Sequence, residues 1–269
     1  MPTPASLVDW SQPWLKPFRL LGQRLSLADD WRLALNMAAR ERGISNYRGL
    51  PVSFVAQAEL PAATAYESFI GSSGKVPTRD NLHDFLNALI WLSFPAVKAR
   101  LNALQAAELA KAGTVSGSSK PRGAARDAAT IFDENAALLL VPDNAAGQSL
   151  SAALREHRWQ QVFIEQGAMF GGAAEVWLFG HALLEKLVQP YKAITAHTLV
   201  LHVPESYFGL DDSLRLAWID RQVAAELAQQ DALIGRLTPL PVLGVPGWSR
   251  GQDQAFYADA AVFRPKRGK

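Results

Sequence analysis

From Thr78 to Gly113 the chain reads TRDNLHDFLNALIWLSFPAVKARLNALQAAELAKAG, with one interior proline and no glycine until the end. That stretch limits the fold more than any other. Its apolar residues recur at three- and four-residue spacing, which suits a helix buried along one side. We expect one helix over Thr78–Phe94, capped by Thr78 or Asp80. Pro95 opens a second helix over Ala96–Gly113, where the glycine ends it. At about 100° per residue, Leu82, Phe85, Leu86, Leu89 and Ile90 fall on one side of the first helix. Asp80, His83, Asp84 and Asn87 fall on the other, with Trp91 among them. A solvated face would carry such a polar stripe, and so would the wall of a site. The tryptophan argues against full exposure.

Other segments give shorter elements. Helical periodicity returns over Asp29–Gly43 and Asp212–Gln230, and a short helix suits residues 149–159. Strands are expected at Pro51–Leu60, at QQVFIEQ and at Ala193–Val203. ATIFDENAALLLVP, Ala129–Pro142, reads as two strands joined by a turn at Asp133–Asn135. Glu175–Val188 reads as one helix. Residues 1–20 hold four prolines with Trp10 and Trp14, which suggests an extended arm anchored by its rings. Residues 113–124, rich in Gly and Ser, read as a flexible surface loop, and the basic run 264–269 as a solvated tail. The C-terminal stretch is dense in Pro, Gly and aromatics. The fold class expected is α+β: a predominantly helical single domain, 1–269, with a small sheet and extended Pro/Trp-rich terminal arms.

Composition narrows the function. With 49% hydrophobic residues the chain can build a real core, and a formal net charge of +2 gives nucleic acid little to hold. A weak nucleic-acid reading would use Arg79, Lys98, Arg100 and the basic tail. The absence of cysteine excludes disulfides, thiol nucleophiles and thiolate metal sites. No apolar run approaches the roughly 18 residues of a spanning helix, and the N-terminus lacks the pattern of a secretory signal. A soluble cytoplasmic protein with no membrane partner is therefore expected. P-loop, dinucleotide and serine-elbow motifs are absent.

The chemistry that remains centres on FGHALLEKL, Phe179–Leu187. Read as part of a Glu175–Val188 helix, His181 and Glu185 share one side, inside an apolar arc with Trp177, Leu178, Leu184 and Val188. A carboxylate in such an arc needs a partner or a cation. His197 follows on the next strand. His181, Glu185 and His197 could bind a divalent metal, Zn, Mn or Fe, or act as a proton-transfer cluster. His83, Asp84 and Asp133 would support them or supply a general base. The resulting reading is a metal-assisted hydrolase. The rival is a binding or scaffold protein whose buried His–Glu pair is structural.

Four boxes stand in order along the chain: GKVPTRDNLHDFLNALIWLSFPAVKARLNALQ, RDAATIFDENAALLL, FGHALLEKL and LPVLGVPGW with FYADAAVFRP after it. Together they resemble an uncharacterised, mainly proteobacterial family classed as a domain of unknown function. The resemblance spans nearly the whole chain. It implies one family-wide domain and no particular activity.

Overall fold

The computed structural model describes residues 4–114, 123–229 and 232–266. Most of the expected loop, 115–122, and the end of the basic tail, 267–269, lie outside them. The order of elements is α1 (Arg19–Ser26), α2 (Trp31–Glu41), β1 (Ser53–Ala56), α3 (Tyr66–Ser73), β2 (Lys75–Thr78), α4 (Leu82–Ser93), α5 (Pro95–Thr114) and α6 (Ala124–Asn135). There follow β3 (Ala136–Pro142), α7 (Ala145–Arg155), β4 (Glu175–Leu178), α8 (His181–Lys186), β5 (Thr195–Val203), α9 (Asp212–Glu226), β6 (Thr238–Pro241) and α10 (Gln254–Tyr257). The class is α+β with helices dominating, as the periodicity indicates. No helix among the described residues is long and apolar enough to cross a membrane.

The chain forms two compact units, each from separated stretches: Met1–Trp10, Phe18–Asp133 and Leu216–Ile234 in the first, and Ser11–Pro17, Glu134–Arg215 and Gly235–Lys269 in the second. In the first unit α4 is the core helix. Asn81 caps it, its side chain accepting from the Asp84 N–H at 2.8 Å, so the cap lies one residue beyond Asp80. Phe85, Leu86, Leu89, Ile90 and Trp91 are all fully buried. Phe18 meets Phe94 edge-on at 6.2 Å, which ties the Pro-rich N-terminal region down by a ring. β1 and β2 form a short parallel pair. Asn36 of α2 completes β1 by donating to the Phe54 carbonyl at 2.9 Å and accepting its N–H at 2.7 Å.

Pro95 begins α5, so the exposed amides of its first turn need acceptors. Asp220 of α9 supplies them, accepting from the Ala96 N–H at 3.1 Å and the Val97 N–H at 2.9 Å. Burial nevertheless raises the Asp220 pKa, outweighing those two bonds. Asp220→Ala is expected to destabilise the protein by about 1–2 kcal/mol, the usual worth of a cap. Urea unfolding followed by helical circular dichroism measures it, and Asp220→Asn should recover part of the loss.

The second unit holds the larger sheet, in the order β4-β3-β5-β6. β3 is its centre, parallel to β5 and antiparallel to β4, and every one of its residues is buried. That double burial accounts for the unbroken apolar run AALLLVP.

Five segments differ from their sequence reading. The N-terminal stretch is not an extended arm: Pro4–Leu7 and Pro13–Phe18 are short 3-10 helices, tight turns that proline tolerates, and α1 follows at Arg19. The strand expected over Pro51–Leu60 is only Ser53–Ala56, with a 3-10 turn over Gln57–Glu59 after it. Ala129–Asn135 is not strand and turn but the end of α6. Its Ala-rich start favours helix, and Ala129, Phe132 and Asp133 bury one side at helical spacing. QQVFIEQ is not a strand. It contains a π-helical turn, Gln161–Glu165, with the Gln166 N–H bonded to the Gln161 carbonyl five residues back. Glu175–Val188 is not one helix. Glu175–Leu178 pairs with β3 as a strand, and the helix begins only at His181. EVWL buries its rings and branched chains better against a sheet neighbour than on a helix side.

Candidate functional site

The helix α5 carries Lys98, Asn102 and Gln105 at i, i+4 and i+7, and all three are buried. A lysine 5% exposed must be paired. Lys98 donates to Asp133 Oδ1 at 2.6 Å and to Asn87 Oδ1 at 2.9 Å, and its Nζ lies 5.5 Å from the Trp91 ring. Asn87 in turn donates to the Tyr66 hydroxyl at 3.2 Å. The polar stripe of α4 is thus largely an interior wall: Asp84, Asn87 and Trp91 are buried, His83 is half-buried and Asp80 is exposed.

The first residues of α3 complete the network. Asn102 donates to the Glu67 main-chain carbonyl at 2.9 Å and to Glu67 Oε2 at 2.6 Å. A carbonyl can only accept, so the first bond fixes which way the carboxamide faces. Among the described residues Asn102 Oδ1 is then left buried without a hydrogen-bond partner. Burial raises the Glu67 pKa, and Asp133 raises it further against the opposing effects of Lys98, Asn102 and Arg126. The Tyr66 hydroxyl is pushed well up by burial and by Glu67, Asp84 and Asp133 around it. Asp84 is held from its other side by Arg79, whose Nε and Nη2 reach its two oxygens at 3.0 and 2.9 Å. One turn before Asp133 on α6, Ala129 lines a cavity of about 390 Å³ together with Leu104 and Glu108 of α5.

Of the expected general-base group, therefore, Asp133 joins the network through Lys98, Asp84 and Asp133 both act on the Tyr66 hydroxyl by their charge, and His83 stands beside Asp84 on α4. Tyr66, Glu67, Lys98 and Asn102 were not anticipated as a site. The spacing of Lys98, Asn102 and Gln105 along one helix is the signal that could have shown them. The nucleic-acid reading loses one of its cations, since Lys98 is buried on Asp133; Arg79 pairs with Asp84 but stays exposed.

The expected metal set lies in the second unit. His181 is 5% exposed at the first position of α8, and Glu185 is half-buried one turn later. With β4 ending at Leu178, Trp177 and Leu178 are no longer on their helix. His197 lies exposed on β5, and partial burial together with Lys186 lowers its pKa. A neighbouring ammonium disfavours a bound cation. Lys186 itself donates to Asn135 Oδ1 at 2.8 Å. Among the described residues no three His, Asp or Glu side chains form a group that could hold a metal ion. His83, His181 and Glu185 are each engaged in the fold.

The second unit has its own charged cluster. Glu175 on β4 accepts from the Tyr207 hydroxyl and from Arg215 Nη1, the latter at 2.9 Å. Arg215 also donates to the Leu210 carbonyl at 2.9 Å and to that of Phe208. These bonds fasten the loop before α9 and leave the carboxylate committed.

Residues 52–267 match the family model described as a protein of unknown function, DUF3025. No curated protein and no solved structure matches the chain.

Proposed function

We propose that this chain, which belongs to the DUF3025 family of proteins of unknown function, is an enzyme that transfers a proton to or from a small polar substrate through Glu67. One observation carries the reading: two carboxyls share one buried network in opposite settings. Asp133 lies against an ammonium at 2.6 Å, while Glu67 has its pKa raised by burial. Environments that separate two carboxyls in this way separate an acid from a charged partner. Glu67 then keeps its proton to higher pH than an ordinary carboxyl and is suited to give it to a leaving group, and Asp133 with Lys98 sets the field around it. Asn102 Oδ1 supplies an acceptor for a substrate hydroxyl or amino group, and the α5–α6 cavity has the volume of a small metabolite. Hydrolysis of a small polar substrate remains the reaction class that this chemistry serves best.

The test joins a titration to a turnover screen. Glu67 should titrate above the ordinary 4.5 in carboxyl-carbon NMR. Esters, phosphates and glycosides of p-nitrophenol should include one that is turned over, and Glu67→Gln should slow it by about 100-fold or more. Turnover unchanged in a folded Glu67→Gln protein ends the reading, as does ordinary titration with no turnover. The network would then be scaffolding. Stability supplies an independent sign. Because the folded state holds the Glu67 proton more tightly, its contribution is full below about pH 4.5 and is lost as pH rises through the folded pKa. Glu67→Gln should flatten that decline, seen as a higher Tm at pH 7.5 relative to pH 4.5 than in the parent protein.

A further inference from the structure

A second concavity, of about 620 Å³, lies in the unit of the larger sheet. Three features give it chemistry. The first is His157. α7 ends at Arg155, and the chain closes it with His157 N–H on the Leu154 carbonyl at 3.1 Å and Arg158 N–H on the Ala153 carbonyl at 2.9 Å. That pattern places His157 at the left-handed position, φ 54°, where glycine is the usual residue. A side chain kept there against the backbone preference needs a reason. Its ring stacks on Trp159 at 5.0 Å and faces the cavity, with Nδ1 buried and lacking a partner among the described residues.

The second is a wall of prolines. Pro239 and Pro241 of β6 line it with Thr195, which pairs with Pro241. The Val242 N–H bonds the Ile194 carbonyl, so the even residues of β6 point their amides at β5 and Pro239 and Pro241 face outward. The outer edge has no N–H at those two positions. It cannot template an added strand. An occupant of the cavity therefore does not bind by strand addition.

The third is charge. Arg264 borders the cavity, held by its own carbonyl, which accepts from Trp159 Nε1 at 2.7 Å. Its Nε donates to the Ala261 carbonyl at 3.0 Å, and it forms no ion pair among the described residues. The terminal amino groups keep their donors for a ligand. Lys266, nearby, is paired to Glu156 at 2.7 Å.

We infer that this cavity binds a small molecule made of a planar ring bearing an anionic group, the ring between the His157–Trp159 pair and the proline wall and the anion on Arg264. Rings stack on aromatic faces and against prolines, and a guanidinium suits a carboxylate or a phosphate. The site is separate from the Glu67 network and does not depend on it. The Trp159 indole N–H, identified by its loss in Trp159→Phe, reports binding in nitrogen–proton NMR. The probes are 2-naphthoate, its uncharged amide 2-naphthamide, and adenosine monophosphate. At least one anion should shift the Trp159 signal to saturation, with 2-naphthamide at least tenfold weaker. Tighter binding of the nucleotide would mark phosphate as the anion, and tighter naphthoate would mark carboxylate. Arg264→Gln should reduce the anion to the level of the amide. His157→Gly should weaken anion and amide alike, with Tm unchanged or raised because glycine suits the backbone. The inference is overturned if neither anion moves the signal at millimolar concentration, or if Arg264→Gln leaves the preference for the anion intact.

Discussion

Lys98→Met is expected to destabilise the protein by about 3–5 kcal/mol, a large share of the whole stability of an ordinary domain. The substitution keeps the length of the side chain and removes only its charge and donors. Asp133, 8% exposed, then loses the ammonium at 2.6 Å, and Asn87 loses the donor to its carbonyl. The effect is the penalty of a buried carboxylate that has lost its ammonium, not the worth of the ion pair. The double variant Lys98→Met, Asp133→Leu separates the two, because it removes both charges while keeping the volume apolar. It should recover most of the single loss, and urea midpoints at constant m would show it. A loss below about 1 kcal/mol in the single variant would mean that Asp133 finds water once the lysine has gone. That outcome would also weaken the Glu67 proposal, since Asp133 would then set no lasting field. If the double variant folds yet loses turnover, the pair serves chemistry more than stability.

The helices of the first unit were legible because their apolar residues repeat at helical spacing, and α4 and α5 lie where Pro95 and Gly113 indicate. Three of the segments that were misread share one cause. RDAATIFDEN, QQVFIEQ and EVWLFGHALL are short and carry apolar residues at spacings compatible with two periods. Only their neighbours decide: β3 claims EVWL as a strand, and Lys98 claims Asp133 on a helix. The site was half legible for a related reason. Asp84, Asn87 and Asp133 stood out as polar residues among apolar ones. Lys98 did not, because a lysine on a helix reads as solvated until an acid far along the chain is found beside it. The pairing of Lys98 with Asp133 spans 35 residues, beyond any local pattern. His181 and Glu185 drew attention as polar residues in an apolar box, but the helix wheel that grouped them with Trp177 and Leu178 required a helix continuous through Gly180.

Gly180→Ala should be the most damaging single methyl group that can be added near that box, with an expected loss of about 3 kcal/mol or more. The backbone at Gly180 is ordinary, φ −65°, so conformational freedom is not what requires glycine. Space is. An added Cβ would stand 2.4 Å from the Glu134 carbonyl oxygen, 2.5 Å from the Ala136 nitrogen and 2.6 Å from Asn135 Cα. All three are backbone atoms at the junction of α6 and β3, and they cannot swing aside as a side chain would. The Phe179 and Gly180 N–H groups bond the Ala136 carbonyl at 3.0 and 2.9 Å, so moving the strand away would also break those bonds. Gly43→Ala is the fitting comparison. Its φ of +61° is strained for alanine but nothing lies within 4 Å of the new methyl, so its loss should be only about 1–2 kcal/mol. Thermal unfolding of the two variants beside the parent protein measures the difference. Equal losses would show that the α6–β3 junction yields, and FGHALLEKL would again need its histidine and glutamate to explain it. A much larger loss at Gly180 makes close backbone approach the first requirement of that box, with His181 placed next to it by the same turn.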